Sequence, residues 1–158
     1  MNIDCNEIIP DRLWVGGYLC PDDAVLLAKQ FISTVLSLQT DEDLSTYGIQ
    51  TKKLLKAYQA ADIELRRIPI PDLDKSDLVA KLPLCVAELE EALKPVWARV
   101  YVHCTAGLNR SPTVVAAYLI RSRNMSAREA YEYVTARRHC KPSLEALEQY
   151  EESLKTQS

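Results

Sequence analysis

The sequence is sparing with several residue types: two histidines, four glycines, two tryptophans and a single phenylalanine in 158 residues. With only His103 and His139 as imidazoles, metal ligation has little to build on. The five cysteines (Cys5, Cys20, Cys85, Cys104 and Cys140) are odd in number, widely spaced and without a C-x-x-C pair, which argues against both a zinc site and a disulfide framework. No metal and no other cofactor is therefore expected. No apolar run approaches the roughly 18 residues needed to cross a bilayer, so no membrane association is expected. Met1 to Glu7 has neither a basic start nor an apolar signal core. The expectation is a cytoplasmic protein, with a plastid location open if a transit peptide has been removed. Positive charge is not in excess either. The net charge of −3 and pI near 5.5 exclude a generic basic surface for nucleic acid.

What remains is ordinary for a globular chain: 47% hydrophobic and 26% charged residues. No repeat, low-complexity tract or linker interrupts it, so one domain over residues 1–158 and a monomer are expected. The pattern predicts short strands at Glu7 to Ile9 and Leu13 to Val15, joined by a turn at Pro10 and Asp11. A helix follows from Pro21 to about Gln30, then a buried strand from Phe31 to Leu38. Asp41 to Gly48 is polar and reads as a loop. Thr51 to Ala61 reads as a helix, Ile63 to Ile70 as a strand stopped by prolines, and Lys75 to Leu93 as a long helix. Arg99 to His103 is a strand running into Cys104. Helices are predicted over Ser111 to Arg123, over Ser126 to Arg138 with the capping box Ser126-x-x-Glu129, and from Pro142 to about Leu154. Alternating strands and helices imply an α/β layer fold around a central, mostly parallel five-stranded sheet. In such sheets ligands bind beyond the carboxyl ends of the strands, where Cys104 falls.

Chemistry concentrates in Val102-His103-Cys104-Thr105-Ala106-Gly107-Leu108-Asn109-Arg110-Ser111-Pro112. A strand enters this loop and a helix leaves it. The backbone amides of Thr105, Ala106, Gly107, Leu108, Asn109 and Arg110 can turn inward as an anion nest, and the helix adds its positive end. Arg110 closes the loop, and its planar fork can take two phosphoryl oxygens at once. Such surroundings favour the thiolate form of a cysteine, which attacks without a dedicated base. Cys104 is thus the expected nucleophile toward phosphorus. Ser111 could donate to the sulfur as it departs, and His103 is expected to order the loop rather than move protons. A lone cysteine at a strand end is most often core material. The whole frame H-C-x-x-G-x-x-R-S, however, has a chance occurrence on the order of 10⁻⁵ from average composition.

The leaving oxygen needs a proton. Between a predicted strand and helix, Asp72, Asp74 and Asp77 all compete for that role, and Asp74 or Ser76 could instead cap the helix.

The loop string resembles the signature of the protein tyrosine and dual-specificity phosphatases. Rhodaneses share a cysteine loop but not the H-C…R-S frame. The resemblance implies Asp72 as the acid, because small dual-specificity enzymes carry it at this distance before the cysteine. It extends to the catalytic domains of plant phosphoglucan phosphatases over about residues 8 to 150. The matching segments are Leu38-Gln39-Thr40-Asp41-Glu42-Asp43-Leu44, Tyr47-Gly48-Ile49, Asp72-x-Asp74-x-x-Asp77-Leu78, Leu82-Pro83, Tyr101 to Gly107, Arg138-His139-Cys140-Lys141-Pro142 and Leu144-Glu145-Ala146. It implies a phosphomonoester hydrolase working through a thiophosphoryl-cysteine, with phosphoprotein or phosphoglucan as substrate. The alternative is a phosphate-binding module with little turnover.

The chain departs from the glucan enzymes at several places. Of the positions where they place sugar-stacking aromatics, here Thr46, Tyr47 and Leu73, only Tyr47 is aromatic. Asn109 replaces a usual glycine. Ser111 stands where alanine is usual in the plant enzymes, and a hydroxyl there is typical of enzymes acting on proteins. Ser37 occupies the position of a cysteine that protects the nucleophile in some relatives. No carbohydrate-binding module and no tyrosine-recognition loop is expected in this length, which implies a shallow, open site. Tyr47 and Leu73 are candidate substrate contacts. Arg137, Arg138, His139 and Lys141 form a basic cluster that reads as a solvated helix end or, alternatively, as a site for a second phosphate or another anionic substrate group, and Trp14 and Trp97 read as core or interface.

Overall fold

A computed structural model describes residues 2–157; Met1 and Ser158, the ends of the expected domain, lie outside the described residues. Strand β1 (Cys5–Ile9) and β2 (Leu13–Gly16) form a hairpin, followed by a 3-10 turn at Pro21–Asp23 and helix α1 (Ala24–Lys29). Then come β3 (Thr34–Ser37), α2 (Asp41–Thr46), α3 (Thr51–Ala60), β4 (Glu64–Arg67), α4 (Lys75–Ala92) and β5 (Val100–His103). The chain ends in α5 (Arg110–Arg123), α6 (Ala127–Arg137) and α7 (Leu144–Thr156).

The five strands lie in the order β1-β2-β5-β3-β4. β1 and β2 are antiparallel, and the three other pairings are parallel. This is the mixed, mostly parallel sheet the alternation predicts. β5 is central, and its side chains alternate between two cores as the strand period requires. Val100, Val102 and Cys104 join the core under α4, α5, α6 and α7, whereas Tyr101 joins the core of the other face with Trp14, Leu27, Val35, Leu54 and Tyr58. Helix α5 is buried from Arg110 through Ala117, so the helix that leaves the cysteine loop is also the middle of its layer. Burial of that N-terminus gives the loop a rigid floor.

The structure departs from the sequence reading in two places. Asp41–Thr46 is a helix, not a loop, because Thr40 and Asp43 form a reciprocal capping box: each backbone amide donates to the other's side chain at 3.0 Å. The strand expected from Phe31 begins only at Thr34. Phe31 turns the chain out of α1 with φ of 60° and is 75% exposed. Trp97 is also exposed, whereas Trp14 is core.

Candidate active site

β5 delivers Cys104 to the carboxyl edge of the sheet, where the residue is only 2% exposed. Every carbonyl of the following loop is engaged on its outer side. Cys104 O accepts from His103 Nδ1 at 2.9 Å, and Thr105 O from the Tyr18 amide at 2.9 Å. Arg138 donates to Ala106 O at 3.3 Å and to Gly107 O at 2.8 Å. Leu108 O accepts from the Lys141 amide at 2.7 Å, and Asn109 O from the Thr113 amide and hydroxyl at 3.0 and 2.7 Å. A trans peptide points its N–H opposite its C=O. Six carbonyls held outward therefore leave the loop amides free to converge on one centre, the geometry of an anion nest. Gly107 is required twice over: its φ is +70°, and an added Cβ would fall 2.6 Å from both Gly16 O and Arg138 Nη2.

Arg110 is buried to 2% exposure. Nη1 donates to Asp43 Oδ2 at 2.8 Å and to Ile70 O at 2.7 Å, and Nη2 donates to Thr105 Oγ1 at 3.3 Å. Nε makes no hydrogen bond among the described residues, although Asp72 Oδ1 stands 3.5 Å away as an ion-pair partner. The protein thus saturates the Nη1 end and leaves Nε–H with one Nη2–H, the edge that forms a two-point fork. Burial works to raise the Asp43 carboxyl, but the hydrogen bonds from Arg110 and Thr40 outweigh it and hold it below its usual range. Gln39, fully buried, donates from its side-chain amide to Thr105 Oγ1 at 3.1 Å, and its backbone carbonyl accepts from Arg67 at 3.0 Å.

The three candidate acids separate cleanly. Asp74 caps α4, accepting from the Asp77 amide and the Ser76 hydroxyl, each at 3.0 Å. Asp77 pairs with Lys81 at 2.9 Å. Asp72 alone faces Arg110, and its side chain is 57% exposed. Next to it Leu73 has φ of 64° and is 89% exposed, standing over a cleft of about 150 Å³ that Asn109, Arg110 and Ser143 also line. Asn109 Nδ2 donates to Lys141 O at 3.1 Å, which holds the loop against the start of α7.

Ser111 Oγ lies 3.3 Å from Cys104 Sγ and 3.4 Å from Gly16 O. Its single proton can serve the sulfur or the carbonyl. Because Cys104 O can only accept, the His103 proton sits on Nδ1, and Nε2 is enclosed without a partner among the described residues. Burial pushes the His103 pKa down to about 4, so its ring is neutral near pH 7. Tyr47, at the end of α2, is half exposed and meets Tyr18 at 4.7 Å between ring centroids, tilted by 39°.

The solvated basic end is contradicted at Arg138, which is 5% exposed and bound to the loop. Sequence reasoning also missed Asp43, Gln39 and Tyr18. The capping pattern Thr40-x-x-Asp43 could have found α2, and Gly16-Gly17 before Tyr18 signals close backbone approach. Arg138 follows Ala130 and Val134 at four-residue spacing on the buried face of α6 and opens one of the matching segments, the signal that could have separated it from its exposed neighbour Arg137.

Residues 13–153 match the family model for the dual specificity phosphatase catalytic domain. The chain is 34% identical over 151 residues to the amyloplastic phosphoglucan phosphatase DSP4 of Castanea sativa, covering 93% of this chain and 40% of that protein. It is also 34% identical, over 140 residues, to the chloroplastic phosphoglucan phosphatase LSF1 of Arabidopsis thaliana, covering 88% of this chain and 24% of that one. It thus spans less than half the length of either relative. The crystal structure of PTPMT1 in complex with PI(5)P superposes with a TM-score of 0.81 at 24% identity, over 97% of both chains, a likeness of fold. The loop, its buried arginine and the match along nearly the whole length lead to one assignment: the chain belongs to the dual specificity phosphatase catalytic-domain family.

Proposed function

We propose that this chain is a cysteine-dependent phosphomonoester hydrolase working through a phosphocysteine on Cys104. One observation carries the reading: all six loop carbonyls are tied outward around Cys104 while the Nε–Nη2 edge of Arg110 is left for oxygens. A dianionic phosphoryl group supplies the acceptors that such a ring of donors lacks.

In the first step Cys104 Sγ attacks phosphorus, an S–P bond forms and the P–O bond to the leaving group breaks. Arg110 and the loop amides hold the three non-bridging oxygens as their charge redistributes. Asp72, on the rim and within reach of the guanidinium, gives its proton to the leaving oxygen. In the second step Asp72 takes a proton from water, the water oxygen bonds to phosphorus, and the S–P bond breaks. The Ser111 hydroxyl then turns to the departing sulfur, 3.3 Å away. His103, neutral and enclosed, keeps the Cys104 carbonyl outward and moves no proton. A module that only bound phosphate would have no use for Asp72 on the rim or for a hydroxyl against the sulfur.

The substrates we infer are phosphoglucan and phosphoprotein. The two plant relatives are named phosphoglucan phosphatases, and the exposed Tyr18–Tyr47 pair offers ring faces beside the loop. The Ser111 hydroxyl beside Cys104 and the exposed Leu73 over the cleft that Arg110 lines suit phosphopeptides as well. Phosphate release from amylopectin and from phosphotyrosine and phosphothreonine peptides, each against Cys104→Ser, tests the proposal. Release from either class that vanishes in Cys104→Ser is expected. Equal inertness of wild type and variant on both would overturn it, and failure on amylopectin alone would remove the glucan.

A further inference from the structure

The guanidinium of Arg138 has five N–H groups, and all five are in use. Nε donates to Gly107 O at 2.8 Å. Nη1 donates to Asp4 Oδ1 at 3.1 Å and Asn6 Oδ1 at 3.0 Å. Nη2 donates to Asp4 Oδ2 at 3.2 Å and Ala106 O at 3.3 Å. No donor remains for a second phosphate, so this cation is not a substrate subsite.

The two carbonyls it holds are consecutive. Ala106 O shares a peptide plane with the Gly107 amide, and Gly107 O shares one with the Leu108 amide. Fixing both oxygens outward fixes both N–H groups inward. Gly107, the one loop residue with positive φ, is where the backbone has the most freedom to rotate these planes. Everywhere else in the loop each carbonyl has its own separate donor; here one side chain sets two planes together. Its other end is anchored by Asp4 and Asn6, on the hairpin edge of the sheet.

We propose that Arg138 is a positioning residue of the phosphate loop: braced by Asp4 and Asn6, it holds the peptide planes on both sides of Gly107 so that the Gly107 and Leu108 amides face the phosphoryl group. The proposal rests on the reading of the loop as a phosphate site, but not on turnover. Lysine cannot replace it, because a point-like ammonium cannot grip two carbonyls and a carboxylate in one plane.

The test is inorganic phosphate binding to Cys104→Ser protein, followed by calorimetry and by the amide resonances of Gly107 and Leu108. In that background Arg138→Met is expected to weaken phosphate at least about tenfold and to abolish the phosphate-induced shift of those two amides. Arg138→Lys is expected to recover only part of both. Val134→Ala, a core change on α6, serves as a destabilised control and is expected to bind as the parent does. Parent-like binding and amide shifts in Arg138→Met would overturn the proposal. So would full recovery by lysine, which would assign the effect to charge alone. If the methionine variant does not fold, the lysine variant decides by the same criterion. Absence of phosphate binding by the Cys104→Ser parent itself would instead remove the phosphate-site reading, and this proposal with it.

Discussion

One oxygen of Asp43 accepts from Arg110 Nη1 at 2.8 Å and from the Thr40 amide at 3.0 Å, so the cap of helix α2 and the aim of the Arg110 guanidinium are a single structural unit. Asp43→Asn removes the charge and keeps the shape. Misplacing a binding group by about an ångström costs roughly 100-fold in rate, and Ile70 O still holds Nη1 in this variant. We expect kcat/KM for an aryl phosphate to fall by roughly 10- to 100-fold. Loss of the charged hydrogen bond is expected to cost about 1–3 kcal/mol of folding stability. Steady-state kinetics and urea denaturation measure the two effects, and a parent-like kcat/KM would detach Asp43 from the site.

Acid should destabilise the fold through His103. An unfolded histidine titrates near 6.5, and the buried ring does so at about 4. Its folded pKa is the lower one, so the unfolded chain takes up the proton first. The stabilisation is complete above about pH 6.5 and is lost as the pH falls from there toward 4, on the order of 3 kcal/mol in all. The Asp43 carboxyl, also held below its ordinary value, adds in the same direction in a lower window: its contribution is present above the unfolded carboxylate range and lost as pH falls through the folded value. Urea denaturation at pH 7 and pH 4.5 should show a smaller loss in His103→Gln than in wild type. Equal losses would remove His103 as the cause.

Removing the acid should be felt in proportion to how badly the leaving group needs it. Asp72→Asn is expected to slow an alkyl phosphate about 100-fold or more and to have little effect on an aryl phosphate with an acidic phenol. Kinetics across a series of leaving groups give the slope. An equal effect at both ends would reassign the role, despite Asp74 and Asp77 being engaged in capping α4 and pairing with Lys81.

The Tyr18–Tyr47 pair should matter only for substrates that reach it. Replacing both with alanine is expected to raise KM on amylopectin several-fold, in keeping with about 0.5–1.5 kcal/mol for a ring contact, while leaving a small aryl phosphate unaffected. Parallel kinetics on the two substrates check this. An equal change in both would mean that the rings serve to position the segment bonded to Thr105 O and not the substrate.

What could be read in the sequence was what is local. The loop from Cys104 to Arg110 is contiguous, flanked by an apolar strand and a proline-started helix, and its chemistry follows from adjacency. The sheet followed from alternating elements, and its central strand from the apolar run before His103. Asp72 needed resemblance, because three aspartates share one segment and only coordinates show which of them caps α4. Asp43 reaches the loop across the fold from α2 and Arg138 from the end of α6, and periodicity shows which face a residue occupies but not what it meets there. The helix at Asp41–Thr46 was hidden by its composition, since acids and hydroxyls suit a turn as well as a capped first turn. Phe31 was read into a strand by its apolarity, which says nothing about its left-handed backbone.

The covalent step itself can be caught. Ser111→Ala should slow breakage of the S–P bond more than its formation, so rapid acid quench of this variant during turnover of an aryl phosphate, followed by peptide mass spectrometry, should find phosphate on Cys104. Phosphate on another residue, or turnover with no phosphorylated cysteine at any time point, would contradict nucleophilic catalysis by Cys104.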